Sequence, residues 1–453
     1  MQQHVMAIGG LVDWEDLTGY SKFWVDIVSI PIFSAFAGVI TNWTGVLMLF
    51  APLHFRGFRC PGVKTIFPLL PRKLQILPIF APGGILGFQG FIPARAEKMA
   101  SICVDKGLAK LGSIRDFMEE LDPMGIADHL TEVARPEVRS MTDEIMHREH
   151  PDLWRDLPGP MREVVYQRIE TQLPKITRHA MSNIHQHIDD LIDVKLLCVG
   201  YMRQHPEILK NIIYDLGAKE LKFMIRLGFT LGLPMGLALA FILQGYDKVP
   251  GLKSVPAWVF VVGGGTLIGI IVNLIAIKMV FEPGEPAPRY RYLWKQAKFA
   301  KRQHEAATSF GHSLAYDVLT MPNIANELLH GPRADKTRAL LEVVVKEEID
   351  HVLGPIRALV RVAVGSREFD AIRASTTGAA VGIVGNLNDD LEFTQRQAVK
   401  IDTFCTTKLR ELPPDEFMEM LYSAVEQDAW LLYAHGGFLG LFVGLIHLIV
   451  FGA

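Results

Sequence analysis

The residues best placed to do chemistry in this chain are polar groups set inside long apolar runs. Asn42 and Asn273 each stand eight residues before a phenylalanine, Phe50 and Phe281, that closes such a run. At 1.5 Å of rise per helical residue, that is about 12 Å into a bilayer. An amide at that depth must find a partner, and polar groups so placed are functional candidates by default. Two uses are open. The amides face one another near a pseudo-two-fold axis, in a polar pathway or headgroup site, or each bonds a neighbouring helix as glue worth about 1 kcal/mol. Glue is the favoured reading. Lys278 and Arg226 lie at the edges of their runs, from which both reach lipid phosphates. Asp26 opens the first run and His447 lies toward the far end of the last, where a neutral imidazole is tolerated. The second to fourth runs hold no interior carboxylate, which weakens the case for a proton-coupled transporter.

Outside those runs the candidates are sparser. His179, His185, His187, Asp189 and Asp190 crowd one predicted helix, with His185 and Asp189 one turn apart, a spacing seen in metal sites. The HExxH arrangement and any nearby cysteine are missing, so a solvated polar face is expected and no metal. No GxSxG occurs, and Gly263-Gly-Gly-Thr266 lacks a Walker lysine and lies within an apolar run. Cys60, Cys103, Cys198 and Cys405 are far apart with no CxxC pair, which argues against a zinc site or disulfide framework and suits a reducing compartment. No nucleophile, base and orienting group assemble, so no catalytic residue and no cofactor are expected, and an enzyme ranks last.

The elements that must position these residues follow from hydropathy. Crossing about 30 Å of hydrocarbon takes roughly 20 helical residues. In 453 residues, Phe223–Leu243, Pro256–Phe281 and Ala429–Phe451 meet that need, and Phe23–Phe50 does so with Asp26 near its start. The expected order is a short segment 1–22, spans at 23–50, 223–245, 256–281 and 429–453, an insert 51–94, helical domains 95–222 and 282–428, and a loop 246–255. The acidic start has no basic region ahead of an apolar core and is not read as a cleavable signal. A net charge of -3 points away from nucleic acid. Arg56, Arg59, Lys64, Arg72 and Lys73 follow the first span, and Arg289, Arg291, Lys295, Lys298, Lys301 and Arg302 follow the third. Only Lys248 and Lys253 lie between the second and third. This bias places both large domains in the cytoplasm and both termini outside.

Glycines recur at four-residue spacing: Gly228, Gly232 and Gly236; Gly265 and Gly269; Gly436, Gly440 and Gly444. Small residues on one helix face let backbones approach closely. Packing among the four spans is the favoured use, and a homo-oligomer seam is the alternative. In the first domain an apolar stripe runs through Met161, Val165, Ile169, Leu173, Ile176, Ala180, Ile184, Ile188 and Leu191. Such a stripe is ordinarily core, although two helical domains beside a bilayer offer a channel for acyl chains. Pro31, Pro234 and Pro174 are expected to kink their helices. The insert's Leu74–Phe91, interrupted by Pro78, Pro82, Gly83 and Gly84, suits a re-entrant or interfacial segment or a core-packed connector.

The chain also repeats itself. Gly38, Asn42, Met48, Phe50 and Pro52 align with Gly269, Asn273, Met279, Phe281 and Pro283 at an offset of 231 residues. Arg95, in Pro93-Ala-Arg95, aligns with Arg302 at 207, and Pro206, Tyr214 and Gly228 align with Pro414, Tyr422 and Gly436 at 208. The same anchors in the same order predict a tandem duplication, with an extra 24 residues in the first copy. At these residues, with Thr41-Asn42-Trp43, Gly87-Phe-Gln89-Gly90 and Lys278 beside them, the chain resembles a bacterial membrane-protein family catalogued as domain of unknown function 445. The second copy departs from the first in holding Val272 and Leu274 around Asn273. The resemblance implies membrane location and helical character and carries no activity.

The resulting expectation is an all-α integral membrane protein with four transmembrane helices in a tandem parallel repeat and two large helical cytoplasmic domains, set in the bacterial inner membrane. Its foremost expected role is a non-enzymatic scaffold or envelope organiser. Lipid handling is the alternative and a small-solute transporter the second; membrane lipids are the expected partners.

Overall fold

A computed structural model of the chain describes residues 10–58, 63–66, 69, 80–81, 84–108, 112–246, 255–288, 294–353, 364–386, 390–426 and 428–452. Almost everything described is helical. The chain gathers into two compact units. One takes residues 1–107, 202–309 and 412–453, and the other takes 108–201 and 310–411. The second unit is thus assembled from the middles of both polar stretches.

In the first unit, four helices are long and apolar enough to cross a membrane: Lys22–Phe50, Pro206–Gly245, Ala257–Phe281 and Ala429–Phe451, called the first to fourth spans below. The second span is the apolar end of a 40-residue helix. Pro206 starts that helix in its first turn, where a missing N–H costs nothing. Pro31 and Pro234 both lie inside continuous helix.

First and second spans pack together, as do third and fourth, and their glycines decide how closely. A methyl group on Gly38 would overlap the Gly228 carbonyl, and one on Gly228 would overlap that of Gly38. Gly269 and Gly436 stand in the same relation. Farther along the first crossing, Gly232 and Gly236 lie against Ser34 and Pro31. Along the second, Gly265 faces Gly440, and Gly444 lies on Val262. The glycines of all three runs therefore meet within the chain, where contact between backbones supplies the dispersion energy that hydrocarbon does not.

The N-terminal residues close over the far end of the fourth span. The Leu11 amide donates to the Ile449 carbonyl at 2.8 Å, and Trp14 Nε1 donates to that of Val450 at 2.9 Å. The Trp14 ring stacks on Phe451.

Part of the insert is extended. Arg56–Phe58 (β1), Phe80–Ala81 (β2) and Gly84–Phe88 (β3) form an antiparallel sheet in the order β1-β3-β2, pairing Arg56 with Phe88 and Ala81 with Gly84. Gly57 and Gly87 leave no room for a Cβ between these strands. Of the Leu74–Phe91 segment, residues 74–79 and 82–83 lie outside the described residues. Its end runs into a buried helical turn, Phe91–Ala94.

The second unit is a stack of helices with explicit start signals. Asp122 caps Pro123–Ala134 by accepting from the Gly125 amide, and Thr320 caps Met321–His330 by accepting from Asn323. Each cap is followed by proline in the first turn. The long helix Gly159–Gln186 continues through Pro174 and packs on Pro123–Ala134 and Ala334–Leu353. Its apolar stripe is only partly core. Leu173 and Ile184 are buried, whereas Met161 is exposed.

The glycine crossings make a test. Gly269→Ala should lower bundle stability in mixed micelles by about 1–3 kcal/mol through overpacking. Gly263→Ala, where a Cβ meets nothing within 4 Å, should leave stability unchanged. Equal effects on the detergent unfolding midpoint would refute close approach as the basis of pairing.

Candidate functional site

Each asparagine extends a glycine crossing by one helical turn. Asn42 lies four residues beyond Gly38, and its Nδ2 donates to the Met224 carbonyl, four residues before Gly228, at 2.5 Å. Asn273 lies four residues beyond Gly269, and its Nδ2 donates to the Leu432 carbonyl, four residues before Gly436, at 2.6 Å. Both side chains are buried, at 2% and 4% exposure. Each amide clasps the backbone of its partner span, which suits the reading as glue. Around them, Phe50 meets Tyr214 edge-on with centroids 5.3 Å apart, and Phe281 meets Tyr422 at 5.2 Å. Trp43 is exposed on the outer face of its span, while Met48, Pro52, Met279 and Pro283 are half-buried where the spans end.

Several other polar side chains of the spans have polar neighbours. Gln244 Nε2 donates to Asp26 Oδ2 at 3.3 Å, Ser29 Oγ lies 3.1 Å from His447 Nε2, and Thr44 Oγ1 lies 2.9 Å from His435 Nε2. Among the four spans lies an internal space of about 30 Å³ bordered by Ser34, Thr41 and His447. That is room for a water molecule. Neither Asn42 nor Asn273 borders it.

Where the spans emerge on their domain side, two ion pairs exchange partners. Arg95, after the first span, pairs with Asp428 at the foot of the fourth. Arg302, after the third, pairs with Glu220 at the foot of the second, with Nη1 at 2.5 Å from Oε1 and 2.7 Å from Oε2. Arg302 Nε also donates to Glu305 Oε2 at 2.8 Å, and Lys219 reaches the other oxygen of that carboxylate. These two cations hold the Glu305 carboxyl down to about 2. Burial lowers the Arg95 guanidinium from its ordinary value. Arg95 and Arg302 stood out in the sequence; Glu220 and Asp428 did not. They share the 208-residue offset of the glycines and the tyrosines, and that was the signal available to find them.

The second unit holds the larger space. An apolar cavity of about 130 Å³ is bordered by Leu121, Leu130, Leu173, Ile184, Leu341 and Val344, among others. Among the described residues, no charged side chain lines it. The Thr177 hydroxyl at its edge is taken up by Thr131 at 2.7 Å and by the Leu173 carbonyl. Four members of the sequence stripe, Leu173, Ile176, Ala180 and Ile184, form one wall, and Ile324, Leu341, Val344 and Ile383 contribute another. Helical spacing finds the first wall. It is silent about which distant helix supplies the second.

No family model, curated protein or solved structure matches this chain.

At the histidine-rich end of Gly159–Gln186 some groups are paired, while the buried His185 Nε2 has no hydrogen-bond partner among the described residues. His179 Nδ1 lies 2.6 Å from Glu348, and Asp189 accepts from Arg115 at 3.0 Å. Among the described residues, no three His, Cys, Asp or Glu side chains gather as a metal-ligand set. Cys198 and Cys405 are buried, and burial pushes both thiols up to about 12, far from the thiolate needed for nucleophilic chemistry.

Glu220, at 3% exposure, depends on Arg302. Arg302→Ala should cost about 3–5 kcal/mol by leaving a buried carboxylate uncompensated. Arg302→Ala with Glu220→Ala should lose clearly less. A double variant as unstable as the single one in thermal melts would show that the charge of Glu220 needs no partner.

Proposed function

We propose that this chain is an integral membrane protein that binds lipid acyl chains in its polar helical unit, and that it arose by tandem duplication. The observation that carries the reading is the apolar lining of the cavity. A core free to close would not keep about 130 Å³ open, since a void of that size costs about 3 kcal/mol at roughly 24 cal/mol per Å³. Apolar cavities of roughly 150 Å³ stay dry and accept benzene-sized hydrocarbon. For a chain with four membrane-length helices, the abundant ligand of that chemistry is an acyl chain. A scaffold alone has no use for such a space. The transporter reading is less favoured, since the Nδ2 atoms of Asn42 and Asn273 are engaged by neighbouring backbone.

The duplication is supported by contacts that recur at the sequence offsets. They are the Gly38–Gly228 and Gly269–Gly436 crossings, the two asparagine clasps and the two aromatic pairs. So are the amides of Gly90 and Ala297, which donate to the carbonyls of Pro52 and Pro283 at 2.9 and 2.8 Å. A parallel repeat puts both polar stretches on one side, and the basic residues after the first and third spans favour the cytoplasmic side of a bacterial inner membrane. Several of these, Arg59, Arg72, Lys73, Arg289 and Arg291, lie outside the described residues. The resemblance to domain of unknown function 445 is in keeping with that location.

Two experiments test the proposal. In membranes fed a diazirine-bearing fatty acid, photolysis should place adducts on peptides containing Leu173–Ile184 and Leu341–Val345. Ala180→Phe should abolish those adducts and spare adducts on the lipid-facing surface of the spans. Adducts confined to the spans in the parent protein would overturn the acyl-binding reading. Separately, reporter fusions at His185 and Asp335 should both report the cytoplasm. Opposite signals would overturn the parallel repeat.

A further inference from the structure

Three cations of the first unit converge at the domain-side foot of the second and third spans, and among the described residues none has a carboxylate partner. Arg226 is the first. It is exposed and lies on the same helix face as Phe229, Leu233, Leu237 and Phe241, all of which are exposed along the second span. Lys278 is the second. On the third span it continues the face of Leu267, Ile271 and Leu274, of which Leu267 is the most exposed. These spacings of three and four residues keep each cation directly below an apolar stripe.

Lys298 joins the two. Its backbone amide donates to the Met279 carbonyl at 3.0 Å, beside Lys278 at the end of the third span. Its ammonium lies 4.7 Å from the centre of the Phe223 ring, one turn before Arg226 on the second span. The second and third spans pack against each other. Lys298 thus ties the end of the third span, which carries Lys278, to the start of the second, which carries Arg226, and each of those cations lies below an apolar stripe. Of the nearby carboxylates, Glu220 and Glu305 are engaged by Arg302 and Lys219, and Glu282 lies one turn after Lys278.

We propose that Arg226, Lys278 and Lys298 form a headgroup site for an anionic phospholipid, whose acyl chains lie along the second and third spans. Charge complementarity names the occupant. A zwitterionic headgroup brings its own ammonium into a cluster that is already positive, whereas a net negative headgroup neutralises it. The guanidinium of Arg226 supplies paired donors suited to a phosphodiester, and the two ammonium groups act as point charges. This site does not rest on the cavity of the second unit.

The test is native mass spectrometry of the purified full-length protein in detergent, titrated with phosphatidylglycerol or phosphatidylcholine. Phosphatidylglycerol should be retained at least tenfold more tightly. The combined variant Arg226→Gln, Lys278→Gln and Lys298→Gln should bring it down to the level of phosphatidylcholine while thermal melting in phosphatidylcholine stays unchanged. Lys219→Gln, on the same helix but outside the cluster, should keep the preference, as should the cavity variant Ala180→Phe. Equal retention of the two lipids by the parent protein would overturn the proposal, as would a preference that survives in the triple variant. Inorganic phosphate that displaces phosphatidylglycerol at millimolar concentration would overturn it too, by marking the site as one for free phosphate.

Discussion

How close two helix backbones can come governs the first unit. In hydrocarbon, burying one apolar side chain against another gains nothing over burying it in lipid, so association depends on dispersion contact and on polar groups that find partners. Gly38 against Gly228 and Gly269 against Gly436 bring backbones into direct contact. One turn along each crossing, an asparagine amide reaches the carbonyl of the facing helix. The two features depend on each other. Without the glycines the carbonyl would lie out of reach, and without the amide the crossing would rest on dispersion alone.

The ion pairs close what the crossings leave open. Glycine contacts tie the first span to the second and the third to the fourth, while Arg95–Asp428 and Arg302–Glu220 tie the first to the fourth and the third to the second. Each arginine follows its span after an intervening segment, and the partner exchange links the first span's segment to the fourth span and the third's to the second. A buried pair of this kind adds little net stability against an apolar replacement, but breaking one partner is costly. Its effect is to fix which helices neighbour which. Under the proposed duplication, the exchange also makes each copy incomplete without the other.

Under the two proposals, the cavity and the basic cluster would serve two kinds of lipid chemistry, each within its own unit. One is an uncharged space in the second unit that suits hydrocarbon, and the other is a set of charges in the first unit that suits a phosphodiester. Neither proposal needs a catalytic group.

By itself the sequence determined what short-range physics controls. Runs of some twenty apolar residues specify membrane-length helices, because the bilayer has one thickness and a helix one rise. Four-residue glycine spacing specifies a face, and the asparagines declared that they needed partners. Helical periodicity likewise revealed one wall of the cavity, through Leu173, Ile176, Ala180 and Ile184. The tertiary structure decided every pairing between distant residues. Which carbonyl each asparagine takes, that Arg302 finds Glu220 more than eighty residues away, that Lys298 lies beside Phe223, and that Leu341 faces Leu173 across a void all depend on how helices cross. It also turned part of a proline- and glycine-rich insert into three short strands, where the pairing of Arg56 with Phe88 and the close approach of Gly57 to Gly87 outweighed weak local preference. Periodicity within one helix says which side is apolar; what lies opposite is a property of the packed whole.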